Sequence, residues 1–212
     1  MLAPLAAILL AAAAAAPAPA PDAGALAAKV QAYYEGTRDL TAKFQQTYRY
    51  AGFGRKLASA GTLRVKKPGM MRWDYETPEP KTVAVKGTRL VQYEPEVKQA
   101  YVDERFDATA MSAAVTFLLG QGDLAKEFHL RVNGEGNLVL RPKQPDPRVE
   151  EVILTVGKGG EVVATRVEDG SGNVNEVRFT DVKRNAGIPD AAFDVKLPSG
   201  VKRLKAPGAG AE

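Results

Sequence analysis

The residues able to do covalent chemistry are few and scattered. His129 is the single histidine, and the 212 residues contain no cysteine. A zinc site built from several imidazoles, a thiolate nucleophile and a disulfide framework are therefore excluded. His129 stands in "FHLRV", where it alternates with Phe128, Leu130 and Val132. In a strand it points away from that apolar side, toward solvent. The pairs Glu76/Glu79 and Asp103/Glu104 are the carboxylates closest to an acid–base arrangement for glycoside cleavage. Both fall in turns or at strand ends, where acidic residues are ordinarily surface groups. No local motif supports a Ser-His-Asp site, and no GxGxxG or P-loop pattern is present. The chemistry open to this chain is non-covalent.

That shifts attention to "KKPGMMRWDYETPEP", Lys66 to Pro80, which holds the only tryptophan. Successive side chains of a strand point to opposite faces. Met71, Trp73 and Tyr75 therefore share one face, opposite Arg72 and Asp74. By the same alternation Leu63 with Val65, Val83 with Val85, and Val91 with Tyr93 form rows on neighbouring strands. Together they predict a broad apolar face. Core beneath helices and the wall of an apolar cavity have the same periodicity, so pattern alone leaves both readings open.

The elements that must position this face follow from turn signals. Leu26, Val30 and Tyr33 recur at helical spacing after Asp22, a good N-cap, and the pattern ends near Gly36. Strands are expected at Leu40–Tyr50, Ala60–Lys67, Met70–Glu76, Lys81–Gly87, Arg89–Pro95 and Lys98–Glu104, with Pro and Gly turns between them. A helix is predicted in "TAMSAAVTFLLGQGD", with Met111, Val115 and Leu118 on one face and Leu119 adjacent. Asp123 caps one more short turn. Five further strand patterns lead to a short turn at Pro189–Phe193 and a last strand. With two main helices, this is an α+β domain with one curved antiparallel sheet carrying helices on one face.

Composition is that of a globular protein, with net charge +4. Basic residues are spread out apart from Lys66-Lys67 and Lys202-Arg203 with Lys205, which reads as a solvated surface rather than a nucleic-acid face. Met1 to Ala16 is an apolar run ending in small residues, as in a secretory signal peptide. It is shorter than the roughly 20 residues of a membrane span. The expected organisation is a signal peptide over residues 1–23, cleaved within Ala16–Ala25, a single domain over 24–205 and a flexible tail over 206–212.

The ordered set Gly61, Leu63, Val65, Lys66-Lys67-Pro68, Arg72-Trp73-Asp74-Tyr75, Pro78, Lys86-Gly87, Leu90, Tyr93, Pro95 and Val97–Ala100 resembles the signature of the periplasmic outer-membrane lipoprotein carrier family, LolA. "LTAKFQQT", "AAVTFLLG" and "DAAFDVKLPSGV" are similar to that family's first strand, lid helix and C-terminal segment. The resemblance implies an unclosed, strongly curved antiparallel β half-barrel with a helical lid over a hydrophobic cavity. The cavity would be lined by Leu63, Val65, Met71, Trp73, Tyr75, Val83, Val85, Val91 and Tyr93, and lidded by Met111, Val115, Leu118 and Leu119. Lys67 stands where the family has an arginine that clamps the lid through helix backbone. Met71 takes the place of a bulky apolar residue at the cavity mouth. The implied function is a monomeric periplasmic chaperone with no cofactor and no enzymatic activity. It would take triacylated lipoproteins from an inner-membrane releasing ABC transporter to an outer-membrane acceptor similar to LolB. That acceptor is itself a lipoprotein, so the absence of cysteine favours the soluble carrier. The alternative is a periplasmic lipid- or lipoprotein-sensing regulatory domain with the same half-barrel.

Overall fold

A computed structural model describes residues 22–107 and 122–205. Residues 1–21 of the expected signal peptide, the expected lid residues Met111, Val115, Leu118 and Leu119, and the expected tail lie outside the described residues. Helix α1 (Ala23–Glu35) is followed by β1 (Asp39–Arg49), β2 (Lys56–Lys66), β3 (Met70–Thr77), β4 (Lys81–Lys86), β5 (Arg89–Glu94) and β6 (Gln99–Asp103). Then come α2 (Leu124–Glu127), β7 (Phe128–Val132), β8 (Leu138–Pro142), β9 (Glu151–Val156), β10 (Val162–Glu168) and β11 (Val174–Arg184). A 3-10 turn (Asp190–Phe193) and β12 (Lys202–Lys205) complete the described elements.

The twelve strands form one sheet in the order β12-β6-β5-β4-β3-β2-β1-β11-β10-β9-β8-β7. β12 and β7 stand at its two ends, so the curved sheet is unclosed. Within β1–β6 and within β7–β11 consecutive strands pair antiparallel, as the Gly and Pro turn signals require, while β6 and β7 lie toward opposite ends of the sheet. Among the described pairings β12 is the exception in direction. It pairs parallel to β6, because the chain first crosses behind the sheet and returns to the far edge.

Asp22 caps α1 as expected, its Oδ1 accepting from the Gly24 and Ala25 amides at 2.6 and 3.2 Å. The buried face of the helix is Ala27, Val30 and Tyr34, whereas Leu26 and Tyr33 are only partly buried. The helix is turned from the expected Leu26–Val30–Tyr33 stripe because small Ala27 lets the backbone approach the sheet. Gly160, at φ +97, shows how close that approach is: a Cβ there would lie 2.6 Å from the Lys29 carbonyl oxygen. Beneath α1, Leu138, Leu140, Val152 and Leu154 form the main core with Phe128 and Leu124.

Candidate functional site

The register of the first meander sorts the predicted site residues between the two faces. One ladder runs Leu40–Val65–Met71–Val85, and the next runs Ala42–Leu63–Trp73–Val83. A third runs Phe179–Phe44–Gly61–Tyr75–Lys81. All three share the face that carries α1, since Leu40 and Ala42 pack in the core with Val30 and Tyr34. Leu63, Val65, Met71, Trp73, Tyr75, Val83 and Val85 are thus brought together on the concave side.

Val91 and Tyr93 are not. Val91 lies opposite Ala84 and Tyr93 opposite Thr82, which are residues of the other face. The two-residue turn at Gly87-Thr88 sets the pairing of β4 with β5 so that Leu90 and Gln92 continue the ladders of Val85 and Val83. Hydrophobicity alone suggested Val91 and Tyr93. A register one residue away moves a whole strand's set to the opposite face. Val91 is nevertheless buried, with Ala84 and Ala100, on the convex side.

Gly61 is the pivot of the aromatic wall. It occupies the ladder position between Phe44 and Tyr75, whose rings meet edge-to-face at 5.1 Å. Phe44 also meets Trp73 edge-on at 4.7 Å, and Trp73 stacks with Tyr75 at 6.4 Å. Phe179 stands 6.4 Å from Trp73. Lys81 places its ammonium 4.6 Å over the Tyr75 ring, where the negative quadrupole of the ring favours it. Burial raises the pKa of the Tyr75 phenol. Sequence reasoning missed Phe44 and Phe179. The alternation of Ala42 and Phe44 was a visible signal, but the pairing of β1 with β11 was not.

The convex face holds the polar half of the "RWDY" alternation. Asp74 accepts from Arg64 Nη1 at 2.6 Å, Arg72 Nε at 2.9 Å and Thr82 Oγ1 at 2.8 Å. Arg72 Nη1 donates on to the carbonyls of Ala192 and Asp194, at 3.2 and 2.9 Å. Lys66 Nζ donates to the Ile188 carbonyl at 2.7 Å, and Lys86 Nζ to Asp194 Oδ1 at 2.6 Å. The C-terminal segment is thereby strapped across β3 and β4, with Phe193 buried. The alternation in this one strand serves both sides, an apolar wall inside and an ionic anchor outside.

Between α1 and the concave face lies a cavity of about 20 Å³, lined by Tyr34, Leu40, Ala42, Leu63, Val65, Lys67, Val162 and Phe179 among others. That is room for about one water molecule. At Leu40 and Ala42 the apolar surfaces of helix and sheet are closed onto one another, while Met71, Trp73 and Tyr75 belong to a separate cluster with Phe44. Lys67 sits at the rim and donates from Nζ to the Tyr34 carbonyl at 2.6 Å. Three neighbours also hold this helix end. Arg184 Nη1 donates to the Tyr33 carbonyl at 3.2 Å, with its guanidinium 4.2 Å over the Tyr33 ring. Asn185 Nδ2 reaches the Gly36 carbonyl at 3.0 Å, and Thr37 Oγ1 reaches the Tyr33 carbonyl at 2.7 Å. Two cations on the last carbonyls of a helix complement its negative end. Arg184 and Asn185 come from β11 and the residue after it, so nothing local in the sequence pointed to them.

Desolvation lowers the pKa of Lys67, and nearby Glu35 opposes that shift. A lysine with a depressed pKa binds its proton more tightly when unfolded. Its contribution to stability therefore rises with pH, from the folded value toward the ordinary 10.5. Replacing Lys67 by Met removes one hydrogen bond while the Thr37 amide still serves the Tyr34 carbonyl. The expected loss is about 1 kcal/mol, a fall in Tm of roughly 2–4 °C. Uptake of a fluorescent fatty-acyl probe should be fastest in Lys67→Met, intermediate in the natural protein and slowest in Lys67→Arg, whose fork can grip two carbonyls. Equal stopped-flow rates in all three would mean that Arg184 and Asn185 hold the helix end by themselves.

Among the described residues no group of three or more His, Asp or Glu side chains could hold a metal ion. His129 is exposed on β7 opposite Arg141, as its alternation predicts. Glu104 is ion-paired with Arg89 at 3.0 Å.

Comparison with known proteins agrees with this architecture. The model of the family "Outer membrane lipoprotein carrier protein LolA" matches residues 35–196. An outer-membrane lipoprotein carrier protein of Dechloromonas aromatica is 31% identical over 172 residues, covering 79% of this chain and 82% of the relative. That of Methylobacillus flagellatus is 27% identical, covering 81% and 84%. An uncharacterized conserved protein from Thermus thermophilus shares the fold, with TM-score 0.53 at 12% identity, covering 86% of this chain and 98% of that one. An unclosed sheet with an aromatic wall, a helix packed on the same face and a match spanning most of the chain lead to one assignment: this chain belongs to the LolA family of outer membrane lipoprotein carrier proteins.

Proposed function

We propose that this protein is a periplasmic carrier that shields the acyl chains of lipoproteins on its concave face. It would take them from an inner-membrane releasing transporter to an acceptor at the outer membrane. The observation that carries the reading is the set of three apolar ladders on β1–β4, which share the face that carries α1, with only a small cavity left between the helix and Leu40, Ala42, Leu63 and Val65. Such a site is apolar enough to receive acyl chains, and in the empty protein α1 already covers part of it. Each buried CH₂ contributes about 0.8 kcal/mol. Cargo binding is therefore strong in gross terms, but it must first separate surfaces that already exclude water. That exchange keeps the net affinity moderate and permits release. The reading requires no cofactor and no covalent step.

The test is purification from periplasmic extract followed by intact-mass analysis of what accompanies the protein. Triacylated polypeptides are expected in stoichiometric amounts, and they should be displaced by an added acyl competitor. Recovery of the protein with no acylated species, under conditions that preserve a known carrier complex, would overturn the proposal.

A further inference from the structure

Tyr50, Phe53, Leu57 and Val97 are the large hydrophobic side chains exposed among the described residues, at 37, 89, 37 and 57%. All four lie at one end of the sheet. Tyr50, Phe53 and Leu57 belong to the β1–β2 hairpin, and Val97 to the turn between β5 and β6. This is the end away from Lys67 and the helix clamp, since β1 runs from Asp39 beside the clamp to Arg49 at the hairpin. Leu57 and Val97 line one groove there, together with Pro78 and Pro80.

The hairpin is built to present Phe53. Its base is closed by the Tyr50 amide on the Arg55 carbonyl at 3.0 Å. The Ala51 amide donates to Asn173 Oδ1 at 3.1 Å, which ties the base to the neighbouring turn. Tyr48 and Tyr50 meet edge-to-face at 4.6 Å on one flank. Phe53 itself stands between Gly52 and Gly54, the latter at φ +59 with nothing within 4 Å of a Cβ placed there. The tip is therefore an aromatic ring on a fixed stem.

Charge selects the occupant. Arg49, Arg55 and Lys56 flank the ring, and the chain holds no Asp or Glu between Asp39 and Asp74. Of the acidic residues at this end, Glu79, Glu94 and Glu96 lie on the turns of β3–β6 and line the groove beside Val97, and Asp169 lies in the turn that holds the hairpin base, where its carboxylate is taken up by Asn173 and the Ser171 amide. On the hairpin itself the cations Arg49, Arg55 and Lys56 stand with no acidic residue among them, whereas Lys81 and Lys98 share the groove side with glutamates. Aromatic side chains flanked by cations suit a bilayer interface, where the ring enters the headgroup region and the cations meet anionic lipid. No helix among the described residues is long and apolar enough to cross a membrane, so this contact is peripheral.

We propose that the β1–β2 hairpin is a membrane-docking tip that inserts Phe53 into the headgroup layer of an anionic bilayer. The binding is weak and reversible, because one ring and three cations fall short of a stable anchor. It is read with empty protein, so its failure would leave the acyl-carrier reading untouched, and the reverse also holds.

The absence of native cysteine allows a single fluorophore to be placed at Phe53→Cys. The purified, labelled protein is mixed with vesicles of phosphatidylcholine alone or with about a third phosphatidylglycerol. Emission should shift to the blue only with the anionic vesicles, and the shift should collapse at high salt. In flotation, Phe53→Ser should bind anionic vesicles about tenfold more weakly than the natural protein, and the double variant Arg55→Ser/Lys56→Ser also more weakly. Both variants change exposed side chains, and unchanged far-UV circular dichroism would confirm their fold. Equal flotation of Phe53→Ser and the natural protein would overturn the proposal. So would binding that appears only when a membrane protein is reconstituted in neutral vesicles, since the tip would then be a protein-docking surface.

Discussion

Trp73→Glu should weaken binding of an acylated probe by about a hundredfold while leaving the protein folded. Trp73 lies at the centre of the concave ladders, between Leu63 and Val83, with Phe44 against its edge. It is only partly buried, so a carboxylate there can reach solvent in the empty protein and the sheet can tolerate it. Once an acyl chain covers that face, the same carboxylate must be stripped of water without a partner or take up a proton. Removing an apolar ring and desolvating a charge together cost roughly 3 kcal/mol or more in the complex. Titration of a fluorescent fatty-acyl probe, beside a thermal melt of the empty variant, separates binding from folding. A folded variant with natural affinity would place the acyl site on some other surface.

Gly61→Ala should have the opposite profile, a large loss of stability with its origin in the backbone. A Cβ at Gly61 would lie 2.0 Å from the Asp74 carbonyl oxygen and 2.9 Å from the Asp74 carbonyl carbon. The register between β2 and β3 shifts at this point, between Ala60 and Gly61, which draws the two backbones together. Relief would require moving Asp74, whose carboxylate gathers Arg64, Arg72 and Thr82. Moving it disturbs the strap that holds the C-terminal segment. Overpacking of this kind costs about 3 kcal/mol, which corresponds to a fall in Tm of roughly 6–12 °C in a domain of this size. Differential scanning calorimetry provides the measurement. A shift of less than about 2 °C would show that the bulge relaxes freely.

The sequence made the strands, their turns and the helix caps legible because each rests on local chemistry. Asp22, Asp123, the proline-glycine turns and the alternation through Met71, Trp73 and Tyr75 are readable within a few residues. The sidedness of Val91 and Tyr93 was not, because it depends on the pairing of β5 with β4 rather than on either strand's own pattern. Phe179 and Arg184 were missed for a related reason. They reach the wall and the helix end only because β11 pairs with β1, and no local signal encodes a partner so distant in the chain. The twelfth strand, parallel to β6, was placed in an otherwise antiparallel reading because the strap behind the sheet is invisible to periodicity. Lys67 was legible as a position through family resemblance, and its reach to Tyr34 is a fact of the fold.

The pairing of β1 with β11 has a mechanical meaning. Strands β1–β6 are joined by hairpins, and β7–β11 likewise, so the sheet consists of two arcs, each closed by local links. They meet along the single ladder from Leu40–Arg184 to Arg49–Val174, with β12 adding its strand at the far edge. The first arc carries the aromatic wall, and the second carries most of the core under α1. Phe179, on the ladder itself, packs against both. The pairing slips on this ladder too, between Thr41 and Lys43, with Asp181 at φ 53 on the facing strand, as it does within the arcs at Ala60/Gly61 and Val162/Ala164. A bulge concentrates twist and bend at one place. The two arcs therefore share a hinge line, and a small change of angle along it would widen or narrow the trough between wall and helix without undoing any hairpin.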